Sequence, residues 1–200
     1  MSKATNITWH PETVTQAERQ AVTGSSGVTL WMCGLSGSGK STIAVALEHL
    51  LHQKSVAAYR LDGDNIRHGL CSDLGFSESD RLENIRRVAH TATLMNQAGL
   101  VVIVSLIAPT TELRAMARSI HQTAKVPFLE CFVDAPLDTC IQRDPKGLYA
   151  KAIAGEIANF TGISAPFEAP QTPEVHLETE HTELHELVAT ALDALETYTA

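Results

Sequence analysis

The feature that most constrains this chain is the segment 34–41, which reads Gly-Leu-Ser-Gly-Ser-Gly-Lys-Ser. It matches the pattern G-x-x-x-x-G-K-[ST], in which glycines permit a tight turn whose backbone N–H groups face phosphate oxygens. In this pattern Lys40 reaches the outer phosphates, and the Ser41 hydroxyl is placed to ligate Mg²⁺. An apolar run over 28–33 predicts a buried parallel strand before the loop, and 42–51 predict a helix after it. The segment therefore predicts binding of ATP or GTP at a helix N-terminus.

The composition is that of one acidic globular domain. The chain has 200 residues, of which 44% are hydrophobic and 19% charged, so it can bury a substantial core. Its formal net charge of -8 argues against general binding to nucleic acid or to an anionic membrane. A local cluster of arginines remains compatible with a small anionic substrate.

The cysteines and the N-terminus indicate the compartment. Cys33, Cys71, Cys131 and Cys140 show no C-x-x-C spacing, which is typical of reduced intracellular thiols and not of a disulfide or zinc framework. The first residues form no apolar signal region, and no apolar run approaches membrane-spanning length. We therefore expect a soluble cytoplasmic protein.

Apolar runs alternate with helical patterns along the chain. The predicted strands are residues 28–33, 56–61, 100–107, 128–133 and 175–178. The predicted helices are residues 42–51, 81–98, 112–121, 137–143 and 183–198. This alternation predicts one α/β domain over 1–200, a three-layer P-loop NTPase-type fold with a parallel sheet flanked by helices.

Two segments fall outside this alternation. Residues 1–26 read as an N-terminal extension with a short helix, in which Trp9 is expected to pack and not to act. Residues 144–168 are rich in glycine and proline, include Lys146 and Lys151, and show little regular period. Long loops of this kind are usually functional, so we expect the segment to be a lid.

Two aspartates follow the second predicted strand. Asp62 and Asp64 stand in Leu-Asp-Gly-Asp-Asn, at the end of the strand where ligands bind in open α/β sheets. They could ligate Mg²⁺ through water or accept a proton from an attacking hydroxyl. An ordinary Asp-Gly turn followed by a helix cap at Asp64 explains the same residues, and the pattern alone leaves both interpretations open.

Polar side chains of the third predicted helix allow two interpretations as well. Arg81 and Asn84 are three residues apart, so they can converge on one target, and an arginine fork suits phosphate or sulfate. Alternatively Arg81, Arg86 and Arg87 form a solvated face with Glu83, which helix statistics favour.

Several longer blocks resemble the adenylyl-sulfate kinases. These blocks are residues 6–11, 34–42, 61–70, 73–76, 83–87, 132–136, 143–149 and 160–168. The resemblance covers nearly the whole chain and is more specific than the phosphate loop alone. It implies transfer of a phosphoryl group from ATP, with Mg²⁺, to the 3′-hydroxyl of adenosine 5′-phosphosulfate. It also implies a homodimer.

The resemblance implies roles for the catalytic residues. Lys40, Mg²⁺ and the loop amides would stabilise the transferring phosphoryl group, and we expect Lys40 to face solvent. Asp64 would orient or deprotonate the attacking hydroxyl, and Asp62 would support it or the metal, for which Ser41 is the predicted ligand. The predicted phosphate-binding residues are Gly34, Leu35, Ser36, Gly37, Ser38, Gly39, Lys40, Ser41 and Thr42.

The resemblance also implies an acceptor site. Arg67, Arg81 and Asn84 would bind the phosphosulfate nucleotide, and Phe76 and Phe167 would stack on its adenine. The full predicted set is Asp64, Arg67, Phe76, Arg81, Asn84, Ile107, Ala108, Lys146, Phe160 and Phe167, with Lys146 closing over the phosphates.

Three positions depart from the pattern. Family members often carry Ile-Ser-Pro-Tyr where this chain has Ile-Ala-Pro-Thr, so Ala108 and Thr110 replace a serine and a tyrosine. Ala108 cannot carry a phosphate. Ile153 replaces the usual lid arginine, which predicts weaker nucleotide contacts at the lid.

Two other functions fit parts of the sequence. Domains of this kind also serve as catalytically weak nucleotide-binding regulatory modules attached to sulfurylases, although the intact Lys40, Ser41 and Asp64 weigh against that. A kinase for another small metabolite would require the combination of Phe76, Arg81 and Asn84 to be coincidental.

Overall fold

The computed structural model describes residues 6–8 and 10–199, so the packing role expected of Trp9 lies outside the described residues. Within them, five strands form one parallel sheet in the order β2-β3-β1-β4-β5. The strands are β1 (Val28–Cys33), β2 (Ala58–Asp62), β3 (Val101–Ser105), β4 (Phe128–Asp134) and β5 (Val175–Glu178). The five predicted strands are confirmed, with ends that differ by up to two residues.

Helices connect the strands and cover both faces of the sheet. They are α1 (Gln16–Thr23), α2 (Lys40–Gln53), α3 (Gly63–Ile66), α4 (Glu78–Gln97), α5 (Thr111–Ala124), α6 (Leu137–Arg143), α7 (Leu148–Ile153) and α8 (Leu184–Asp193), followed by a 3₁₀ turn at Glu196–Tyr198. No helix of the described chain is both long enough and apolar enough to cross a bilayer.

The pleat of the strands divides the core into two layers. In β3, Val101 and Ile103 pack with the buried residues of α2 and α8, whereas Val102 and Val104 pack with those of α4 and α5. This period of two is what a strand buried on both faces requires. The predicted three-layer α/β fold is thereby confirmed.

The N-terminal segment begins a helix with a capping box. The Thr15 hydroxyl accepts from the backbone of Glu18, whose carboxylate accepts in turn from Thr15. The chain then passes to β1 through Ser26, whose N–H donates to the carbonyl of Tyr198. The two terminal segments are therefore joined beside the sheet.

The segment 144–168 has more structure than its sequence suggests. It contains α7, and its Tyr149, Ala152 and Phe160 form a small buried cluster with Ala135 and Cys140. Tyr149 and Phe160 meet edge to face, with ring centroids 5.1 Å apart. The Tyr149 hydroxyl donates to the carbonyl of Ser36 at 3.0 Å. This cluster therefore rests directly on the phosphate loop.

Candidate active site

A cavity of about 340 Å³ lies at the carboxyl ends of β2 and β3, beside the N-terminus of α2. This is the edge at which open parallel sheets bind ligands. The predicted site residues that line it are Ser36, Lys40, Ser41, Asp62, Asp64, Arg67, Phe76, Arg81, Asn84, Ile107, Ala108, Lys146 and Phe160. The structure thus brings together both predicted aspartates and all but one of the predicted acceptor-binding residues.

The phosphate loop packs so closely that its first glycine cannot be replaced. Gly34 has φ of 150°, and a Cβ built on it would stand 2.3 Å from the carbonyl oxygen of Val133. Its own N–H donates to the carbonyl of Ile107 at 3.3 Å. Gly39, with φ of 105°, turns the chain into α2, which begins at Lys40. The loop therefore ends at a helix N-terminus, which is favourable to anions.

The expectation that Lys40 faces solvent is wrong. Only 8% of Lys40 is exposed, and its Nζ donates to the carbonyls of Gly34 at 3.0 Å and Leu35 at 2.6 Å. Burial lowers the pKa of Lys40 to about 8, and the nearby charge of Lys146 acts in the same direction. The ammonium group binds the loop's own carbonyls because these are the acceptors within its reach.

Ser41 and Asp62 form the candidate metal site. The Ser41 hydroxyl donates to Asp62 Oδ2 at 2.7 Å, and Arg60 Nη1 lies 3.3 Å from the same oxygen. One hydroxyl and one carboxylate are the kind of oxygen ligands that Mg²⁺ prefers. The described residues contain no group of three or more His, Cys, Asp or Glu side chains that could hold a metal. Mg²⁺ typically uses one or two carboxylates and completes its shell with phosphates and water, so these residues fit it.

Asp64 lies at the mouth of the cavity and forms an ion pair with Lys146 of segment 144–168. Both side chains are at least half exposed. The Asp64 backbone N–H donates to Asp62 Oδ1 at 3.1 Å, so Asp62 caps α3. The predicted helix cap at Asp64 is therefore wrong, because the cap is Asp62. This leaves the carboxylate of Asp64 at the cavity mouth.

Arg67 and Phe76 form one wall of the cavity. The Arg67 guanidinium carbon lies 4.3 Å from the centroid of the Phe76 ring, a cation–π contact. Arg67 Nη1 also donates to the carbonyls of Leu74 and Gly75 at 3.3 and 2.9 Å. Phe76 itself is 64% exposed, which leaves a large aromatic face open.

Arg81 connects α4 to the segment above the cavity. Its Nη2 donates to the carbonyl of Asn159 at 2.8 Å, and its Nη1 donates to the Thr161 hydroxyl at 3.3 Å. Burial, and then the charge of Arg67, lower the pKa of Arg81. The solvated-face interpretation is therefore wrong for Arg81.

That interpretation is confirmed for the other two arginines of α4. Arg86 and Arg87 both bind the carboxylate of Glu83, at 2.6 and 2.9 Å. Their hydrogen bonds lower the pKa of Glu83 to about 2. Arg87 also pairs with Asp73 outside the cavity.

Asn84 is buried in the cavity wall, with 4% of its surface exposed. Its Nδ2 has no hydrogen-bond partner anywhere in the described chain. A buried amide without a partner costs free energy that a bound acceptor atom would recover.

Phe167 is the predicted acceptor-binding residue that the structure does not bring to this cavity. Its ring stacks on Phe132, with centroids 5.9 Å apart, and it lines a separate open cavity of about 560 Å³ together with Leu35. Stacking on Phe132 of β4 explains this position, because it buries apolar ring surface.

Ser105 is a cavity residue that sequence reasoning missed. It ends β3, directly beside Asp62 of β2 in the strand register, and it is only 4% exposed. Alternation along β3 places its side chain on the face covered by α2, the helix that carries Ser41. Its hydroxyl has no partner among the described residues. The signal available in the sequence was a single polar residue inside the apolar run 100–107.

Comparison with known proteins agrees with this geometry. The family model described as adenylylsulphate kinase matches residues 26–178. The adenylyl-sulfate kinase of Enterobacter sp. (strain 638) is 55% identical over 190 residues, which cover 95% of this chain and 93% of that protein. The bifunctional enzyme NodQ of Rhizobium sp. (strain BR816) is 54% identical over 90% of this chain, which spans only 28% of that enzyme.

A solved structure gives the same result. The Mycobacterium tuberculosis APS kinase CysC, whose structure is a complex with AMPPNP and APS, has a TM-score of 0.83 and 50% identity to this chain. The match covers 85% of this chain and 98% of that one. The family match and the identity to the relatives both extend far beyond the phosphate loop, and this chain belongs to the adenylylsulphate kinase family.

Proposed function

We propose that this chain transfers the γ-phosphoryl group of ATP to the 3′-hydroxyl of adenosine 5′-phosphosulfate, giving 3′-phosphoadenosine 5′-phosphosulfate and ADP. The observation that carries the proposal is that one cavity contains both halves of the site. It joins a phosphate loop and two aspartates on one side to Arg67, Phe76, Arg81 and Asn84 on the other. A donor and an acceptor nucleotide can therefore meet between them.

The phosphate loop binds the donor. The N-terminus of α2 and the loop amides face the β- and γ-phosphates, and Lys40 exchanges the carbonyls of Gly34 and Leu35 for phosphate oxygens. Ser41 and Asp62 would hold Mg²⁺, which would supply positive charge to offset that of the phosphates. Because phosphoryl transfer depends mainly on positioning and electrostatics, these groups supply most of the catalysis.

Asp64 acts on the acceptor hydroxyl. Lys146 moves from Asp64 to the phosphates when the nucleotides bind, which frees the Asp64 carboxylate. The 3′-oxygen then attacks the γ-phosphorus in line, the bond from phosphorus to the β,γ-bridging oxygen breaks, and ADP leaves. The hydroxyl proton passes to Asp64. Ala108 has no hydroxyl, so no phosphoenzyme forms at this position.

The acceptor lies against the Arg67 and Asn84 side of the cavity. Arg67 and Arg81 provide the positive charge that a phosphosulfate requires, and the open face of Phe76 stacks on its adenine. The unpartnered Nδ2 of Asn84 donates to an acceptor oxygen. Phe167 joins the adenine only if it leaves Phe132.

Segment 144–168 acts as the lid. Arg81 holds it through Asn159 and Thr161, and Lys146 holds it through Asp64. Closure keeps water from the γ-phosphate and so limits wasteful hydrolysis.

The backbone amides of segment 144–168 should exchange hydrogen slowly with ADP and adenylyl sulfate bound and faster in the free protein. Equal protection in both states would mean that the segment is a fixed wall.

The decisive experiment measures ADP release from MgATP with and without adenylyl sulfate, together with the identity of the product. We expect release to depend on adenylyl sulfate and to yield the 3′-phosphorylated nucleotide. Binding of both nucleotides without turnover would favour the regulatory module. Turnover with a different hydroxyl acceptor but not with adenylyl sulfate would favour another metabolite kinase.

Assembly and location complete the proposal. By its resemblance to the family, the chain acts as a homodimer, and light scattering should give twice the 21.6 kDa of one chain. The four cysteines are buried and free in the described chain, which suits the reducing cytoplasm. Cell fractionation would test that location.

A further inference from the structure

The turn 107–109 connects three parts of the molecule through consecutive carbonyls. The Ile107 carbonyl accepts from the N–H of Gly34 in the phosphate loop at 3.3 Å. The Ala108 carbonyl accepts from Arg114 Nη1 at 3.0 Å, and the Pro109 carbonyl accepts from the N–H of Glu168 at 2.8 Å. Side chains of this turn line the cavity on the acceptor side. A shift of the turn would therefore move a wall of the site.

Ala108 holds the turn in a conformation that alanine disfavours. Its φ is 43°, in the left-handed region that residues with a Cβ rarely adopt, and only 2% of it is exposed. A strained residue of this kind persists only where its surroundings fix it. The contact that reaches its carbonyl from a side chain comes from Arg114.

Arg114 is suited to fix the turn because it is itself immobilised. It is 3% exposed in the first turns of α5, and its Nε lies 2.6 Å from Glu130 Oε1 of β4, close as an ion pair although not aligned as a hydrogen bond. Its Nη2 reaches the Thr111 hydroxyl at 3.4 Å. A planar guanidinium presents its donors in a fixed geometry and can face a carboxylate with one edge and a carbonyl with another, whereas an ammonium group offers all its donors from one atom at the end of a flexible stem.

We propose that Arg114 is a positioning residue that fixes the acceptor wall of the cavity by holding Ala108 in its left-handed conformation. The proposal rests on the proposed function, since it concerns the acceptor nucleotide. Arg114 does not line the cavity. Its effect therefore passes through the turn and falls on the acceptor more than on ATP.

The same ion-pair group contains a matched control. Arg118 lies one turn further along α5 and pairs with Glu130 at 3.4 Å and with Glu174 at 2.8 Å. No hydrogen bond of the described structure joins its guanidinium to the turn 107–109. Arg118→Met therefore disturbs the ion pairs without releasing Ala108.

The test compares the kinetics of Arg114→Met and Arg118→Met with those of the unaltered enzyme. Calorimetry measures the affinity of all three proteins for ADP. Arg114→Met should raise KM for adenylyl sulfate about tenfold, the loss expected for one hydrogen bond from a charged group. In Arg114→Met, the KM for ATP and the Kd for ADP should stay within about twofold of those of the unaltered enzyme. In Arg118→Met, these two constants and the KM for adenylyl sulfate should all stay within that range.

Two further variants keep the test decisive. Arg114→Lys retains the charge beside Glu130 and serves if Arg114→Met does not fold; its KM for adenylyl sulfate should rise about threefold. In an Ala108→Gly background the effect of Arg114→Met should shrink, because glycine adopts positive φ without strain.

Several results would overturn the proposal. They are kinetics of the Arg114 variants like those of the unaltered enzyme, equal losses for both nucleotides, the same acceptor defect in Arg118→Met, and a full effect in the Ala108→Gly background. An unaltered enzyme without activity on adenylyl sulfate would instead refute the proposed function. The two failures are therefore distinguishable.

Discussion

Two buried asparagines of helix α4 differ in whether their amides are paired. Asn96, near the amino ends of the strands, accepts from the Thr29 hydroxyl at 2.7 Å and donates to the Leu100 carbonyl at 3.2 Å. Asn84 lies about 18 Å away along the same helix, at the carboxyl ends of the strands, and its Nδ2 has no partner in the described residues.

The surroundings of the two residues repeat this difference. Beside Asn96, His121 Nε2 lies 3.0 Å from the Thr29 hydroxyl, and its Nδ1 donates to the Ala117 carbonyl at 2.8 Å. Near Asn84, the Ser105 hydroxyl is also unpartnered among the residues described. Lys40, whose pKa is lowered by burial, donates to a backbone carbonyl of the phosphate loop. Trp31 Nε1, midway along β1, also has no partner but does not line the cavity.

We interpret the difference as one between polar groups that stabilise the fold and polar groups that a bound ligand would pair. Buried polar groups are normally paired, and unpaired ones call for a specific reason. We expect substitutions in the amino-end network to change stability and not kinetics. At the carboxyl ends of the strands, we expect substitutions of these polar groups to change kinetics and not stability.

The largest effect is expected for Lys40→Met. Loss of a charge aimed at the transferring phosphoryl group should lower turnover by about 10²–10³. The free energy of unfolding should not fall, because burial penalises the charged lysine, whose folded pKa of about 8 lies below the usual 10.5. Between those pH values the unfolded chain binds the proton that the folded chain lacks, so stability rises with pH, and the variant should lose that rise.

The control for Lys40 is Lys54→Met, at the exposed C-terminal end of α2. It should leave turnover unchanged. If Lys40→Met stayed within a few-fold of the unaltered enzyme, the phosphate loop would not be the catalytic centre.

The second effect concerns acid stability at the amino end. Burial lowers the pKa of His121 to about 4, against a usual 6.5. Between these values the unfolded chain binds a proton that the folded chain does not. Stability should therefore fall as pH falls through this window, by about 1.4 kcal/mol per pH unit and about 3–4 kcal/mol in total.

Denaturant unfolding at pH 4.5 to 7 tests this in His121→Gln, with the exposed His181→Gln as control. The slope with pH should flatten in the first variant only. An unchanged slope in His121→Gln would mean that other groups cause the acid loss.

The third prediction compares the asparagines directly. Asn84→Ala should raise KM for adenylyl sulfate about tenfold and leave the free energy of unfolding nearly unchanged, because no hydrogen bond of its Nδ2 is lost. Asn96→Ala should lower that free energy by about 2 kcal/mol, because it removes the buried hydrogen bonds to Thr29 and Leu100, and should leave KM unchanged. Kinetics and urea unfolding of both variants test the pair. The same pattern in both would remove the distinction between the two ends.

The smallest effect is expected for Ser105→Ala. Its hydroxyl lies beside Asp62 without a partner of its own among the described residues, so we expect it to support the hydration shell of the metal. Turnover at limiting Mg²⁺ should fall about two- to threefold, while stability holds or rises slightly. Ser72→Ala, on the exposed surface, is the control. A loss of stability in Ser105→Ala would assign the hydroxyl to the fold instead.

The sequence predicted the fold because its signals are local. Each strand is a short apolar run, and the phosphate loop is a fixed spacing of glycines between a strand and a helix. The family resemblance supplied further cavity residues, including Arg67 and Phe76.

The rest of the site depends on contacts between distant residues. The burial of Lys40, the stacking of Phe167 on Phe132, and the pairing of Arg114 with Glu130 each depend on packing between elements far apart in the chain. Ser105 was identified as a site residue only from its position beside Asp62 in the strand register. No periodicity in the sequence encodes these contacts.

The position of β1 in the sheet has a consequence for biosynthesis. Neither neighbour of this central strand is near in sequence, since Val28 pairs with Val101 and Thr29 pairs with Phe128. Such pairing has a high contact order and is slow to form. On the ribosome, the phosphate loop emerges early but its strand stays unpaired until β3 and β4 have followed. We therefore expect the phosphate loop to reach its folded conformation, and to bind ATP, only after β4 has been synthesised.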